Sequence, residues 1–236
     1  GCPHRRGGGA TSVRGVTVWT DPEWLSEAHA WIHERAADTG ANVTGTIEQP
    51  HVQLWSTVLR VPTSEGDLWF KANHPTSAYE AAVVRVLADT RPDVVPALRA
   101  VDLERGWMLM GDGGERLREV VERERSLERW LDVLPRYGEL QRDVSAHADD
   151  LVRLGAPDRR LATLPAQYER LLEQTEGLTD EEHDRLTRAV PYVRETSRAL
   201  AALGIPETIQ HDDLHDGQVF VRDGGYLFFD WGDACI

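Results

Sequence analysis

Apolar positions along the chain change their period repeatedly, and each change predicts a different element. Thr20-Asp21-Pro22-Glu23 opens a helix with a capping side chain, Pro at the first helical position and an acid in the first turn. Trp24, Leu25, Ala28, Trp31 and Ile32 follow at helical spacing and Gly40 supplies a stop, so these tryptophans read as packing residues. β-rich runs come next, 52–61 and 68–72, separated by the polar turn at 62–67. Helical spacing returns from Tyr79 to Ala88, with Ala82, Val83, Val86 and Leu87 on one side. Trp107-Met108-Leu109-Met110 reads as a short strand that ends at Gly111-Asp112-Gly113-Gly114.

From Arg116 to Leu203 the pattern is helical throughout. Leu127, Trp130, Leu131 and Leu134, then Leu140, Val144, His147, Leu151 and Leu154, form the expected core stripe, with His147 as a core histidine. Pro135 marks a kink or boundary, and Gly155-Ala156-Pro157-Asp158 a break. Leu164–Leu172 and Leu186–Leu203 carry further helices. Val219–Arg222 and Tyr226–Phe229 then flank Asp223-Gly224-Gly225, a hairpin signal. A three-residue turn with Gly225 at positive φ pairs Arg222 with Tyr226 and sets Gln218 opposite Asp230 on one face. A two-residue turn would put those two side chains on opposite faces. The three-residue turn is the expectation.

The chemistry concentrates around this hairpin. Gln210-His211-Asp212-Asp213-Leu214-His215-Asp216-Gly217-Gln218 has the spacing His-x-Asp-x-x-x-x-amide of a kinase catalytic loop, and Asp230-Trp231-Gly232-Asp233 follows it. Phosphoryl transfer needs a carboxylate to take the hydroxyl proton and oxygen ligands to hold Mg²⁺ against phosphates. Upstream, Lys71 ends a strand and Glu80 sits on the next helix, where a lysine reaches nucleotide phosphates and a glutamate holds its ammonium. Lys71 is the only lysine in the chain, and an ammonium acts on phosphate as a compact point charge.

The segment 210–233 resembles the aminoglycoside phosphotransferase and choline-kinase-like family, small-molecule kinases with the protein-kinase fold. That resemblance implies an α+β, bilobal architecture with a β-rich N-terminal lobe and a helical C-terminal lobe. The corresponding division is a disordered leader at 1–14, an N-terminal lobe at 15–110, a hinge at 111–115 and a C-terminal lobe at 116–236. It makes Asp213 the catalytic acid/base, braced by His211, and Gln218 and Asp230 the Mg²⁺ ligands, with Asp233 accessory. Gln218 stands where the family usually has Asn; it keeps the carbonyl and adds a methylene. Lys71 and Glu80 take the nucleotide-phosphate role, and the cofactors implied are ATP and Mg²⁺. Trp55-Ser56-Thr57 takes the place of a phosphate-covering loop, with Ser56 and Thr57 offering hydroxyls. Met110 and Asp112 lie in the segment that offers backbone to adenine in kinases; the same stretch also reads as a plain Gly-rich connector.

Composition adds limits. At 236 residues with net charge −14, the chain is disfavoured as a nucleic-acid or anionic-membrane binder and favours a cationic small-molecule acceptor. Two cysteines at opposite ends suggest no disulfide framework, so the cytosol is the default location. Few residues follow Asp233, whereas further helices follow in the resembling family, so a chain truncated at its C-terminal end is an expectation. Two other readings fit the motif. One is a nucleotide-binding module without catalysis; the other is a metal-dependent hydrolase using His211, Asp212 or Asp213, and His215.

Overall fold

Strand β5 (Trp107–Gly111) explains the layering, because its apolar run serves two faces at once. Successive side chains point to opposite sides of a strand. Trp107 and Leu109 enter one apolar cluster with Ala28, Ile32 and Ala36 of α1 (Pro22–Asp38), while Met108 and Met110 enter a second with α2 (Glu80–Thr90) and the helical half. The computed structural model describes residues 18–236, and the leader expected at 1–14 lies outside them. The sheet is antiparallel, in the order β1 (Glu48–Val52), β2 (Ser56–Thr63), β3 (Gly66–Asn73), β5, β4 (Leu98–Asp102). Lys71 pairs with Met108 across the β3–β5 ladder, so its side chain leaves the sheet toward α2 and the second lobe.

α1 starts as its sequence dictates: the Asp21 carboxylate accepts from the backbone N–H groups of Glu23 and Trp24, and Gly40 follows the end at φ 80°. Trp24, Trp31, Phe70 and Trp107 meet edge to face with centroids 5.4–5.9 Å apart for the three pairs that Trp107 makes, consistent with their expected packing role. The run 52–61 is not one strand. Leu54 and Trp55 form a tight turn closed by Gln53 N–H to the Ser56 carbonyl at 2.9 Å, and the indole of Trp19 donates to the Gln53 carbonyl at 2.8 Å.

The second lobe contains α3 (Leu117–Glu124), α4 (Trp130–Val144), α5 (Ala148–Arg153), α6 (Leu164–Gln174), α7 (Asp180–Arg188) and α8 (Val190–Ala201). A short strand β6 (Glu115–Arg116) joins the hairpin β7 (Val219–Arg222) and β8 (Gly225–Phe228). Several expected features take a different or more detailed form here. Leu127, Leu131 and Leu134 are 69%, 74% and 54% exposed, and α4 buries Val133, Tyr137, Leu140 and Val144 instead. Both stripes have helical spacing, and packing of the Tyr137 ring on Phe228 (5.5 Å) and Trp231 (6.5 Å) selects the second. Helix α4 also runs through Pro135. A 3-10 turn at Ser145–His147 then rotates the register, leaving the His147 side chain near the surface, 3.8 Å from Asp150. Finally, 186–203 is two helices, because Pro191 is accommodated only in the first turn of α8. Thr179 and Glu182 start α7 with a reciprocal capping box. Among the described residues no helix is long and apolar enough to cross a membrane.

Candidate active site

The lobes meet at an ion cluster of two buried groups, Lys71 and Glu80, and one half-exposed acid, Asp230. Lys71 Nζ lies 2.8 Å from the Glu80 carboxylate and 2.6 Å from Asp230 Oδ1, although the two acids stand far apart in sequence. Glu80 is almost wholly buried and every donor facing it is accounted for: Asn73 Nδ2 reaches Oε2 at 2.6 Å, and the Trp231 N–H reaches Oε1 at 3.0 Å. Burial pulls the Lys71 ammonium toward neutrality, but the charges of Glu80 and Asp230 outweigh it and hold its pKa above the ordinary lysine value. Burial pushes Asp230 up, and Lys71 with the Gln218 amide pulls it further down, so its carboxyl sits below the usual range.

Asp230 reaches this position by an unexpected route. The β7–β8 turn has two residues, Asp223 and Gly224, both left-handed at φ 50° and 77°, and pairs Arg222 with Gly225. Gln218 therefore faces Phe229, whose N–H donates to its carbonyl at 2.9 Å, and the expected three-residue register is overturned. On strand alternation alone, Gln218 and Asp230 would then diverge. They meet because Asp230 leaves the ladder in the left-handed conformation, φ 60° and ψ 63°, which swings its side chain back: Gln218 Nε2 donates to Asp230 Oδ2 at 3.0 Å.

His211 is fully buried and structural. Its Nε2 lies 2.7 Å from the Phe229 carbonyl, which can only accept, so that nitrogen carries the proton. Its backbone N–H donates to the Tyr137 hydroxyl at 2.8 Å, and its ring packs on Trp231. The catalytic-loop segment is thereby tied to the residue before Asp230. Of the two adjacent acids, Asp212 (φ 66°) turns to Arg159, Oδ2 to Nη1 2.5 Å. Asp213 instead presents a half-exposed carboxylate, 3.7 Å from His215 Nε2. His215 Nδ1 accepts from the Gly217 N–H at 2.9 Å and lies 3.2 Å from Arg118. With His211 and Asp212 turned to other partners, the hydrolase ligand set does not assemble. Among the described residues no group of three or more His, Cys, Asp or Glu is arranged to hold a metal.

The remaining expected residues fall as follows. Ser56 and Thr57 begin β2 rather than a turn; the Thr57 hydroxyl donates to the His51 carbonyl at 2.8 Å and accepts from Gln49 at 2.9 Å, so it is committed to the hairpin. Met110 is a buried residue of β5. The Asp112 carboxylate accepts from Trp69 Nε1 and Gly114 N–H, each at 3.1 Å, and its carbonyl accepts from Arg222, so this residue ties the segment after β5 to β3 and to the β7–β8 hairpin. Asp233 is exposed in the last 3-10 turn. Sequence reading missed Asn73, Tyr79, Tyr137, Trp231 and Gly113. A Cβ on Gly113 would stand 2.6 Å from the Phe229 ring and 3.1 Å from Phe220, which explains why glycine is needed there. The only sequence signal for it was its place in a Gly-rich run.

A half-exposed carboxylate beside an amide suits Mg²⁺, which takes oxygen ligands and is bound by one or two carboxylates with substrate phosphates and waters. Asp230 and the Gln218 carbonyl oxygen would hold it, the amide turning over to present that oxygen.

A β-rich lobe and a helical lobe, joined by a lysine–glutamate–aspartate cluster beside a His-x-Asp loop, define a small-molecule phosphotransferase of the protein-kinase-like class. The phosphotransferase enzyme family model matches residues 47–236, and the chain belongs to that family. Solved structures share the fold. A choline/ethanolamine kinase family protein from Mesorhizobium loti is 22% identical with TM-score 0.54, covering 89% of this chain and 65% of its own. The choline kinase LicA from Streptococcus pneumoniae is 14% identical with TM-score 0.55, covering 89% and 70%. APH(2")-IIia in its GDP and kanamycin complex is 14% identical with TM-score 0.56, covering 89% and 73%. The chain thus spans roughly two thirds to three quarters of the length of these structures. No curated protein matches it by sequence.

Proposed function

We propose that the protein transfers the terminal phosphoryl group of ATP to a hydroxyl of a small, preferably cationic acceptor such as an aminoglycoside, amino sugar or choline-like alcohol. The carrying observation is the Lys71–Glu80–Asp230 cluster: a cation held by two acids from different lobes, with an amide on the free oxygen of the second acid. Lys71 offers its charge to phosphate oxygens, and Glu80 fixes its position. Asp230 and Gln218 would hold Mg²⁺, which would supply charge neutralisation at the phosphates when bound. Asp213 accepts the acceptor's hydroxyl proton as that oxygen bonds to phosphorus and the bond to the departing ADP breaks. His211 transfers no proton in this scheme; its Nε2–H keeps the loop against Phe229. Asp233 borders the acceptor side. The net charge of −14 supports a cationic acceptor, and the structural neighbours, which include a choline kinase and a phosphotransferase solved with kanamycin, point the same way. A cytosolic location fits a nucleotide triphosphate as co-substrate.

ADP release from ATP and Mg²⁺, measured over a panel of aminoglycosides, amino sugars, plain sugars and choline-like alcohols, tests this reading. Turnover is expected with at least one acceptor, and Asp213→Asn should lower it by about 10²–10⁴-fold with nucleotide affinity unchanged. ATP binding without acceptor-dependent ADP release across the panel would favour a binding module, and equal turnover by the variant would remove Asp213 from its role.

A further inference from the structure

Helix α2 begins with a residue that breaks the local rule for its position. An N-cap is normally Ser, Thr, Asp or Asn, whose side chain takes a free N–H of the first turn. Tyr79 stands there and caps nothing. Its hydroxyl instead crosses to the other lobe and donates to the Gly232 carbonyl at 2.6 Å. Its neighbour Glu80 accepts the Trp231 N–H at 3.0 Å. The N-cap and the first residue of α2 therefore grip two consecutive residues that follow Asp230. Burial pushes the Tyr79 phenol up to about 12, with Asp233 and Glu80 adding, so it keeps its proton as donor. Gly155, at φ 107°, admits this arrangement, since a Cβ there would stand 3.1 Å from Tyr79 Cβ.

The grip falls on a segment that needs one. Asp230 holds a left-handed backbone that most side-chain-bearing residues avoid and that Asp tolerates at a modest cost, so contacts on both sides help to hold it. On the preceding side His211 fixes the Phe229 carbonyl. On the following side Tyr79 and Glu80 supply the two bonds just described, beside the Trp231 indole, which donates to the Phe228 carbonyl at 3.1 Å, and the backbone pairing of Cys235 with Gln210 further on.

We propose that Tyr79 is a positioning residue of the phosphate centre: its bond to Gly232 locks the Asp230-Trp231-Gly232 backbone to α2 and so orients the Asp230 carboxylate. Lys71, Glu80 and Asp230 then stay assembled without nucleotide, and displacing α2 breaks the Glu80 and Tyr79 contacts together. The inference rests on the phosphotransferase reading for its consequence, though not for its geometry.

The test is Tyr79→Phe, which keeps the ring and removes one hydroxyl. In the unliganded full chain, hydrogen exchange at the Trp231 amide should quicken about tenfold, the scale of one lost hydrogen bond. Calorimetry with ATP should show the affinity gained on adding Mg²⁺ reduced about tenfold, with affinity in EDTA unchanged and the melting temperature close to that of the unsubstituted protein. Unchanged exchange and an unchanged Mg²⁺ gain would overturn the proposal. So would equal losses in both buffers with a lowered melting temperature, which would mark a merely structural residue. If the unsubstituted protein binds no ATP in either buffer, the functional reading fails, and the exchange result alone decides the role of Tyr79.

Discussion

Lys71→Met removes the ammonium while keeping most of the side chain's length, and the cluster allows the cost to be divided between its two acids. Asp230 is 49% exposed, so water recovers much of its solvation and its loss of Lys71 costs under about 1 kcal/mol. Glu80 is 2% exposed and has no such recourse. Stranding a buried charge costs about 3–5 kcal/mol, and the Asn73 amide and Trp231 N–H that still face Glu80 put the value near the lower end. The expected destabilisation is therefore about 3–4 kcal/mol, a large share of an ordinary domain's stability. Neutralising the stranded acid as well should reverse part of it: Lys71→Met with Glu80→Gln should be more stable than Lys71→Met alone by about 2 kcal/mol, since the amide oxygen can still accept from Trp231. Urea unfolding followed by fluorescence of the eight tryptophans measures both differences, with equal m-values as the control. Both variants should also lose acceptor-dependent ADP release. A cost below about 1 kcal/mol for Lys71→Met, or a double variant no more stable than the single one, would refute the reasoning.

Gly113→Ala drives a methyl group into the Phe229 ring, itself packed on Phe220 at 4.3 Å, and should destabilise by about 1–3 kcal/mol, read in the same unfolding assay, while weakening ATP binding by calorimetry. Acid should destabilise the fold through carboxyls that their partners hold down. The Arg160 bonds hold Asp158 at about 2, and the Arg91 bonds hold Asp93 below its ordinary 3.8. Near pH 3–4 such groups bind fewer protons folded than unfolded, so their contribution is present above the ordinary value and is lost as pH falls through the folded one. Melting temperature should drop between roughly pH 4 and pH 2, and Asp158→Asn should flatten that drop.

Much of the site was legible because its chemistry is local in sequence. The His211–Gln218 spacing, the Asp230-Trp231-Gly232 run and a lone lysine on a strand before a glutamate-bearing helix are patterns of residue type, and the fold brings Lys71, Glu80, Gln218 and Asp230 together as expected. The hairpin was legible too, yet not its register: Asp223-Gly224-Gly225 supports either loop length, since Asp and both glycines tolerate positive φ. Tyr79 and Tyr137 carried no signal, because their roles lie in hydrogen bonds to residues far along the chain, and Asn73 carried none because its bond to Glu80 forms only once β3 packs against α2.

Sequence by itself determined the order of a β-rich half followed by a helical half and a hairpin, the residues that bear charge and the class of chemistry they suit, because propensity, capping and spacing act over a few residues. Tertiary structure alone decided which apolar stripe of α4 faces inward, which of Asp212 and Asp213 stays free of an arginine, and how Asp230 returns to Gln218 despite the two-residue turn. Each of those choices lies between alternatives of nearly equal local energy. Contacts from the other lobe or a distant helix separate them: the rings of Phe228 and Trp231, the guanidinium of Arg159 and the ammonium of Lys71.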